Sequence, residues 1–295
     1  MVFFLFYLNF MPELPEVETI VQDLNKKIKG KRISKVNVRL KRIVKSENFV
    51  KVLIGNSVKE ALRRGKLIIF KLEKENNYLL VHLRMTGQVI YQQNNRITAG
   101  GHSDNNDNLK ELPNKHSHVI IYFTDGSKLF FNDQRQFGVL KIVNAKRLQE
   151  EKKKFGIEPL SREFNTKYLE NLIKNKKKNI KAFLLDQKYI AGIGNIYADE
   201  TLFRAGVSPT RRVDSLTKNE IKKIAESVKI ILKKAIQARG TTFNNYVDAD
   251  GNQGSFVNFL KIYGRGGKEC KKCKTILKKI KVAGRGTVCC PKCQK

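Results

Sequence analysis

The 295-residue sequence is short of acidic residues, most of all near its C-terminus. Lys and Arg number 59 against 27 Asp and Glu, so the formal net charge is +32 at pH 7. Residues 251–295 contain a single acid, Glu269, among many Lys and Arg. A lysine-rich proteome accounts for part of this excess but not for its concentration at one end. A polyanionic partner, most simply nucleic acid, is therefore expected, and such a charge is unusual for a metabolic enzyme.

Long apolar runs and dispersed cysteines are also lacking. The first ten residues are apolar, but they have no basic start and no small-residue cleavage site. They are shorter than the ~20 residues that cross a bilayer, and no other stretch approaches that length. All five Cys lie near the C-terminus instead of being spread as a disulfide framework. The sequence predicts a globular protein of a reducing cytoplasm, long enough for two domains and without a membrane span.

An amphipathic helix is predicted to begin the fold, directly after Pro15. Apolar residues recur at helical spacing from Val17 to Ile28. Glu13, Glu16 and Glu18 are expected in the first turn, where they complement the helix dipole. The fold is therefore expected to begin with one amphipathic helix.

The pattern then changes to short β-rich runs separated by turn residues. These runs cover residues 33–40, 67–72, 78–83, 89–91, 119–123, 129–131 and 139–143. Asp125-Gly126 between two of them indicates a hairpin, and the whole series is typical of an antiparallel sandwich. Residues 92–114, rich in Asn, Gly and Asp, have no periodicity and are predicted to form a long flexible loop.

A charged stretch at residues 145–154 marks a domain boundary, beyond which the pattern is helical. Helices are predicted at residues 166–175, 180–186, 195–205 and 218–238. Gly240 supplies a C-terminal stop for the last of them. A loop containing Gly and Asn leads from there to the cysteines.

Two CxxC pairs, Cys270 with Cys273 and Cys290 with Cys293, are separated by sixteen residues. This spacing can place four thiolates tetrahedrally around one ion, a strong indication of zinc. Four thiolates leave no open coordination position, so the metal is expected to be structural and to supply folding energy to a small hairpin. Unliganded or redox-active cysteines are the alternative, and Cys289 lies outside the pattern.

The segment between the two pairs, residues 278–288, is predicted to form two β-like arms around a Gly284-Arg285-Gly286 tip. Glycine neighbours let the backbone approach closely, and the guanidinium fork fits phosphate oxygens. The segment is therefore a candidate phosphate contact. A solvated turn with an incidental Arg is the alternative.

Three separate motifs together resemble one known family. Residues 11–16, Met-Pro-Glu-Leu-Pro-Glu, read like the first residues of a protein, and Asn195 lies in the run Gly-Ile-Gly-Asn-Ile-Tyr-Ala at 192–198. With the four-cysteine element, the chain after residue 10 resembles the formamidopyrimidine-DNA glycosylases. The resemblance implies an α+β fold: an N-terminal antiparallel β-sandwich with a leading helix, a helical helix-two-turn-helix domain and a C-terminal zinc-finger β-hairpin.

The resemblance also implies domain limits and a function. The domains are expected at 11–145, 146–268 and 269–295, with residues 1–10 an extension absent from the mature protein. The implied activity is that of a bifunctional DNA glycosylase and abasic-site lyase of base excision repair. It releases oxidised purines, such as 8-oxoguanine and formamidopyrimidines, from damaged double-stranded DNA. One structural zinc ion, no redox or organic cofactor, a monomer and a bacterial, nucleoid-associated location are expected.

The chemistry of a chain that begins at Pro12 can be argued independently. An internal proline nitrogen is an amide and cannot attack carbon, whereas a terminal one is a free secondary amine. An α-amino group has a pKa of about 8 against about 10.4 for Lys, so a roughly hundredfold larger fraction is neutral at pH 7. Attack on the sugar C1′ expels the base and gives an iminium that promotes β- and then δ-elimination.

The resemblance assigns catalytic roles to four residues. Pro12 is the nucleophile, Glu13 a proton donor or shuttle, and Lys66 a proton donor near the abasic site. Arg285 is a phosphate contact that also takes part in δ-elimination. The alternatives are a helix-start acid for Glu13 and an ordinary surface lysine for Lys66.

The resemblance further assigns contacts to DNA. Because a damaged base leaves the stack to react, the void is filled by Met85, Arg135 and Phe137. Core packing is the alternative for Met85 and Phe137, and Gln136 stands where the family often has a second Arg. The residues expected at the DNA backbone are His116, Lys177, Lys181, Asn195, Tyr263, Arg265 and Arg285.

Two other functions remain open from the sequence. One is the related class of enzymes that excise oxidised pyrimidines, although Leu14, where that class usually carries Gly, favours the purine reading. The other is a zinc-containing DNA-binding protein without catalysis, in which residues 1–10 keep Pro12 blocked.

Overall fold

The computed structural model describes residues 11–94, 96–101, 111–241 and 255–295. Their contacts divide into two compact units. The first contains residues 11–12 and 16–149, and the second contains 13–15, 150–241 and 255–295. The predictions for residues 1–10, and for residues 242–254 of the loop that leads to the cysteines, lie outside the described residues. In the part of the chain described, no helix is long and apolar enough to cross a bilayer.

The first unit begins with the predicted amphipathic helix, α1 (Leu14–Ile28). The apolar stripe between Val17 and Ile28 is buried in the core of this unit, as its spacing predicts. A short helix, α2 (Phe49–Leu53), was not predicted, and it buries Phe49 and Leu53 in the same core.

Two antiparallel sheets complete the first unit. The strands are β1 (Ile33–Val38), β2 (Val58–Arg64), β3 (Leu67–Leu72), β4 (Asn77–His82), β5 (Gly87–Gln93), β6 (Arg96–Gly101), β7 (Ser117–Phe123), β8 (Lys128–Asp133) and β9 (Val139–Asn144). One sheet has the order β1-β7-β8-β5-β6 and the other β2-β3-β4-β9. Residues from both sheets, such as Phe70 on β3, Val119 on β7 and Phe131 on β8, share one buried cluster. The core therefore contains side chains from both sheets, as in a sandwich.

Two of these strands contradict the sequence interpretation. The prediction of a loop over residues 92–114 is wrong at its start, because β5 extends to Gln93 and pairs antiparallel with β6. Residues 102–110 of that segment lie outside the described residues. Strand β2 was missed because its composition, Val-Lys-Glu-Ala-Leu-Arg-Arg, is mostly charged and its pairing with β3 is irregular between Val58 and Glu60.

The second unit is mainly helical. Its helices are α3 (Ala145–Lys153), which begins in the first unit, α4 (Thr166–Ile173), α5 (Ile180–Leu185), α6 (Asn195–Ala205) and α7 (Lys218–Gln237). The charged stretch read only as a boundary is thus the helix α3. Asn165 caps α4 through the Tyr168 N–H, and Thr217 with Glu220 forms a reciprocal capping box on α7.

A two-stranded hairpin, β10 (Lys278–Val282) and β11 (Arg285–Cys289), lies near the end of the second unit. Val282 pairs with Arg285, so the connecting turn is Ala283-Gly284, with φ of 51° and 72°. Two consecutive positive φ values are the signature of a type I′ turn, whose twist matches that of the strands. The predicted Gly284-Arg285-Gly286 tip is therefore wrong by one to two residues, and Arg285 is the first residue of β11.

Candidate functional site

The carboxylate of Glu13 lies at the N-terminus of α6. It accepts hydrogen bonds from the backbone N–H groups of Gly194 at 2.8 Å, Ile196 at 3.0 Å and Tyr197 at 3.4 Å. The side chain is only 4% exposed. Because a helix N-terminus carries unpaired N–H groups and a partial positive charge, this position stabilises an ionised carboxylate. Glu13 thus caps α6, although it lies 183 residues before Ile196 in the sequence.

The Gly-Ile-Gly-Asn motif makes room for this contact. A Cβ on Gly194 would lie 2.2 Å from Glu13 Cδ, and one on Gly192 would lie 2.7 Å from Leu14 Cβ. The Leu14 N–H also donates to the Gly192 carbonyl at 3.0 Å. Both glycines are therefore needed for residues 13 and 14 to approach α6.

Asn195, the first residue of α6, faces the hairpin. Its Nδ2 donates to the Gly286 carbonyl at 3.1 Å and lies 3.5 Å from the Tyr263 hydroxyl. Burial raises the pKa of the Tyr263 phenol, so the hydroxyl stays neutral at physiological pH. The buried Oδ1 of Asn195 has no hydrogen-bond partner among the described residues. Asn195 therefore keeps an unused acceptor beside the hairpin.

Lys181 on α5 is fully buried and does not reach the surface. Its Nζ lies 2.6 Å from Asp199 Oδ1 on α6 and donates to Thr287 Oγ1 on β11 at 2.7 Å. Thr287 Oγ1 in turn donates to the Arg285 carbonyl at 3.1 Å. Burial lowers the pKa of Lys181 and raises that of Asp199 to about 6, while their mutual attraction opposes both shifts. Lys181 thus connects two helices to the hairpin strand that begins with Arg285, and a direct phosphate contact does not fit this burial.

Replacing Lys181 is expected to destabilise the second unit. Lys181→Met leaves the buried Asp199 carboxylate without its cationic partner, at a cost of about 3–5 kcal/mol. The double variant Lys181→Met/Asp199→Leu removes both charges and is expected to recover most of that loss. Urea unfolding of the three proteins measures the free energy of unfolding. Equal destabilisation of the single and double variants would contradict an ion pair in this position.

A second buried acid, Glu200, holds the chain segment that carries Tyr263. Its Oε1 accepts from the backbone N–H groups of Lys261 at 3.0 Å, Ile262 at 2.9 Å and Tyr263 at 2.9 Å. Burial raises the pKa of Glu200, and these N–H donors oppose the rise. Glu200 therefore fixes the loop that enters the cysteine region, and the sequence interpretation did not identify it.

The remaining basic candidates of the second unit differ in exposure. Lys177 and Arg285 are exposed, Lys177 in the turn before α5 and Arg285 at the start of β11. Arg265 is half-buried, and its Nη2 donates to the Glu269 carbonyl at 3.0 Å. Lys177 and Arg285 can therefore meet a phosphate without rearrangement, whereas Arg265 is already engaged within the chain.

The four predicted cysteines converge on one point. The Sγ atoms of Cys270, Cys273, Cys290 and Cys293 all lie within 4.8 Å of one another. Four sulfurs at ~2.3 Å around a tetrahedral zinc would be separated by about 3.8 Å, so the cluster fits that metal. The Lys272 and Cys293 N–H groups point at Cys270 Sγ and Cys290 Sγ, each at 3.4 Å. The four cysteines therefore fit one structural zinc ion, and their thiolates would fill its four coordination positions.

In the first unit, Lys66 lies in the two-residue turn between β2 and β3. Gly65, with φ of 56°, begins the turn, and Lys66 is only 6% exposed. The interpretation of Lys66 as an ordinary surface lysine is therefore wrong. Burial and the charges of Arg84 and Lys66 lower the pKa of nearby His82 to about 3. The His82 imidazole is consequently neutral, and its Nδ1 accepts from the Arg84 N–H at 3.1 Å.

The three residues expected to fill a void in DNA form one cluster, which we call the Met85–Arg135–Phe137 cluster. The Arg135 Nη1 lies 3.2 Å from Met85 Sδ, and its guanidinium is 5.0 Å from the Phe137 ring centroid. Phe137 is 54% exposed, so core packing does not explain it. A cation held between a thioether and an aromatic face at the surface is suited to stacking on bases.

His116 is half-buried at the start of β7, and burial and the Lys115 charge lower the pKa of its imidazole. A neutral His116 can reach a phosphate as a hydrogen-bond donor. The sequence interpretation missed the buried acids that surround these sites, Asp133 in the first unit and Asp199 and Glu200 in the second. Their only sequence signal is an acidic residue within an otherwise apolar element.

The first unit is a sandwich with an exposed cluster of Arg and aromatic side chains. The second is helical and carries a four-cysteine zinc element and a surface Arg. Together these features define a zinc-containing nucleic-acid-binding protein. Three family models cover this chain. The formamidopyrimidine-DNA glycosylase N-terminal domain matches residues 11–140, and the formamidopyrimidine-DNA glycosylase H2TH domain matches 155–246. The zinc finger found in FPG and IleRS matches 267–295.

Whole proteins and solved structures agree with these matches. The formamidopyrimidine-DNA glycosylases of Desulfitobacterium hafniense (strain Y51) and Carboxydothermus hydrogenoformans are 41% and 42% identical, each covering at least 96% of this chain and all of the relative. A Lactococcus lactis Fpg in complex with DNA containing an abasic site aligns with a TM-score of 0.84 at 34% identity, over 96% of this chain and 99% of that one. The chain belongs to the formamidopyrimidine-DNA glycosylase family, which confirms both the resemblance and the predicted fold class.

Proposed function

We propose that this chain releases oxidised purines from damaged duplex DNA through a terminal Pro12 amine and then cleaves the strand. It is a DNA glycosylase of base excision repair by its family. The observation that carries the residue-level proposal is the placement of Glu13, the residue next to Pro12, against the N-terminus of α6. A charged carboxylate is thereby fixed one residue from the proposed nucleophile.

The proposed reaction begins with the neutral Pro12 nitrogen attacking the sugar C1′. The C1′–N bond to the base breaks, and the base leaves with a proton from water. Three backbone N–H donors stabilise the ionised form of Glu13, so it first accepts the proton that the Pro12 nitrogen loses after bonding to C1′. Glu13 then donates that proton to the ring oxygen O4′ as the C1′–O4′ bond breaks and the iminium forms. This arrangement supports the shuttle role of Glu13 over that of a simple donor.

Elimination follows because the iminium withdraws electrons from C2′. Loss of the C2′ proton breaks the 3′ C–O bond, and a second elimination breaks the 5′ bond. We propose that Lys66, buried in its turn, supplies a proton near the abasic site, and that Arg285 binds a phosphate during the second step. Zinc supplies only the folded hairpin on which Arg285 is carried.

We propose that DNA backbone contacts come from His116, Lys177, Asn195 and Arg285. Lys181 is assigned a positioning role instead, since its ammonium is buried against Asp199 and Thr287. Tyr263 and Arg265 remain secondary candidates, because Glu200 and Glu269 already fix their segment.

We propose domain limits at 11–145, 146–268 and 269–295, with the mature chain starting at Pro12. The family matches at 11–140, 155–246 and 267–295 support these limits. A cytoplasmic location at the bacterial nucleoid is proposed because DNA is the substrate.

The preferred lesion distinguishes this proposal from its nearest rival. Single-turnover rates are to be compared on duplexes that carry 8-oxoguanine opposite C or an oxidised thymine. Faster release of 8-oxoguanine is expected. Faster release of the thymine lesion would assign the chain to the oxidised-pyrimidine class.

Arg285 is expected to contribute one phosphate contact to DNA binding. Neutralising a phosphate releases counterions, so log K falls with log salt at about −0.9 per contact, and Arg285→Ala should reduce the slope by about one contact. Arg285→Lys keeps the charge and should keep the slope while losing the bidentate fork. Binding titrations between 50 and 200 mM salt provide the measurement. Over this range a strongly charged DNA-binding protein loses about 10³- to 10⁵-fold in affinity. A slope unchanged in Arg285→Ala would remove Arg285 from the interface.

A further inference from the structure

The side chain of Asp133, the last residue of β8, is completely buried and joins two loops of the first unit. Its Oδ1 accepts from Thr86 Oγ1 at 2.5 Å and from the Arg135 N–H at 3.2 Å. Its Oδ2 accepts from the Gly138 N–H at 2.6 Å. The first of these loops carries Met85 and the second carries Arg135 and Phe137. One carboxylate thus holds both halves of the Met85–Arg135–Phe137 cluster.

Thr86 completes the connection between the loops. Its hydroxyl donates to Asp133 and also accepts from the Arg135 N–H at 3.0 Å. The chain neighbour of Met85 is therefore bonded to the backbone of Arg135. Because Thr86 is only 8% exposed, water competes poorly for these bonds.

The backbone of Asp133 is fixed from its other side. The Asp133 N–H donates to the His116 carbonyl at 3.0 Å, and the His118 Nε2 donates to the Asp133 carbonyl at 2.8 Å. Asp133 is consequently the junction of three segments: 84–87, 116–118 and 134–138. Each of them carries a residue proposed to touch DNA.

Both loops contain backbone conformations that need such support. Arg84 has φ of 55° and Gln136 has φ of 58°, in the left-handed region that residues with a Cβ rarely adopt. Such positions persist only when surrounding bonds hold them. Gln136 Oε1 also accepts from Arg42, which adds one more restraint on the second loop.

We propose that Asp133, acting with Thr86, is a positioning residue that holds the Met85–Arg135–Phe137 cluster in its DNA-filling arrangement before DNA binds. The inference rests on the proposed function. A cluster assembled in advance avoids the cost of ordering two loops and three long side chains during base extrusion. The benefit applies to duplex DNA, where a void is created, and not to a single strand.

The substitution Asp133→Asn tests the role with little change in volume. The amide nitrogen of the Asn side chain takes the place of one carboxylate oxygen. In one orientation it faces the Gly138 N–H, and in the other it faces the Thr86 hydroxyl and the Arg135 N–H. In either case a donor faces a donor, and a hydrogen bond is lost. We expect release of 8-oxoguanine from a duplex to fall about tenfold or more, since a hydrogen bond to a charged group is lost. We expect cleavage of a single strand that carries a preformed abasic site to change by less than about twofold, within the scatter of neutral substitutions.

A matched control lies at the other end of the same strand. Asp125 accepts from the Ser127 N–H at 3.0 Å and from Ser127 Oγ at 2.6 Å in the turn between β7 and β8. Asp125→Asn therefore disturbs a similar turn without touching the cluster, and both rates are expected to stay near those of the parent protein. A fall in duplex activity equal to that of Asp133→Asn would overturn the inference.

A second pair of variants keeps the test decisive if Asp133→Asn does not fold. Thr86→Val removes the hydroxyl at similar volume and should lower the duplex rate selectively, whereas Thr86→Ser retains the hydroxyl and should restore it. A duplex with 2-aminopurine opposite a reduced abasic site reports filling of the void directly. We expect its fluorescence change on binding to be reduced in Asp133→Asn and Thr86→Val and retained in Thr86→Ser.

The outcomes separate this inference from the proposed function. If the parent protein releases no base from any duplex, the proposed function fails. If the parent is active and both variants lose duplex and single-strand cleavage equally, Asp133 and Thr86 serve general stability and the inference fails. Selective loss on duplex DNA with rescue by Thr86→Ser supports it.

Discussion

Protein that begins at Pro12 is expected to form a covalent adduct with DNA containing 8-oxoguanine when borohydride is present, and protein that retains residues 1–11 is expected to form none. In the proposed reaction an iminium joins the Pro12 nitrogen to the sugar C1′, and borohydride would reduce it to a stable amine. In the longer protein that nitrogen is an amide without a nucleophilic lone pair. The rate of base release should differ by on the order of a thousandfold or more, as when other enzymes lose their nucleophile. Gel separation of the adduct and intact mass of each protein are the measurements.

Two comparisons keep this experiment specific to the Pro12 amine. The longer protein should still bind the duplex, because His116, Lys177 and Arg285 are unchanged. The variant Pro12→Ala, also freed of preceding residues, has a primary α-amine in place of the secondary one and should trap a reduced amount of adduct. Equal trapping by the protein that retains residues 1–11 would contradict Pro12 as the nucleophile.

Removal of zinc is expected to produce the second large effect, a loss of DNA affinity of about 10- to 100-fold for each charge-assisted contact that the hairpin supplies. The buried cluster around the metal ligands is small and includes Ile262 and Leu277 besides Cys270 and Cys290. Such a core cannot hold the hairpin by itself, and zinc binding supplies roughly 10–16 kcal/mol in comparable fingers. Metal content, circular dichroism and duplex binding, each measured before and after chelation, test this expectation.

The chain offers a matched pair of cysteine variants for the same question. Cys290→Ser removes a ligand and should lose both metal and DNA binding. Cys289→Ser changes the adjacent residue, which lies on β11 outside the sulfur cluster, and should retain one zinc per chain and normal binding. Full DNA affinity in metal-free Cys290→Ser would show that the hairpin folds without zinc.

The regular parts of the fold were predictable because their apolar spacing is strong. The stripe of α1 and the limits of α6, residues 195–205, follow directly from the sequence. Strand β6 has the composition Arg-Ile-Thr-Ala-Gly-Gly, whose last three residues disfavour strands, so its pairing with β5 decides its conformation. Strand β2 was missed for the same reason. Its charged residues do not indicate a strand, and its pairing with β3 decides its conformation.

The candidate site was predictable in its motifs but not in its supports. The CxxC spacing identifies all four metal ligands, and the glycines beside Asn195 mark a close approach. Apart from their place in otherwise apolar elements, nothing local in the sequence indicates that Asp133 and Glu200 are buried. Glu200 is bound by N–H groups that lie 61 residues or more along the chain, and Asp133 by the Thr86 hydroxyl, 47 residues away, besides the nearby Arg135 and Gly138 N–H groups. Lys181 was misplaced for the same reason, since its partner Asp199 lies on another helix.

The cap that Glu13 forms on α6 has a consequence for the entropy of the reaction. A chain terminus is ordinarily among the most mobile parts of a protein. Here three N–H bonds anchor the residue directly after Pro12, so in the proposed reaction the amine of a chain starting there would lose little freedom on meeting C1′. Fixing a nucleophile in advance raises its effective concentration, to about 10⁵–10⁸ M in well-oriented systems. In the proposed reaction, the helix would therefore give a terminal amine the rigidity that enzymes usually obtain from side chains within the fold.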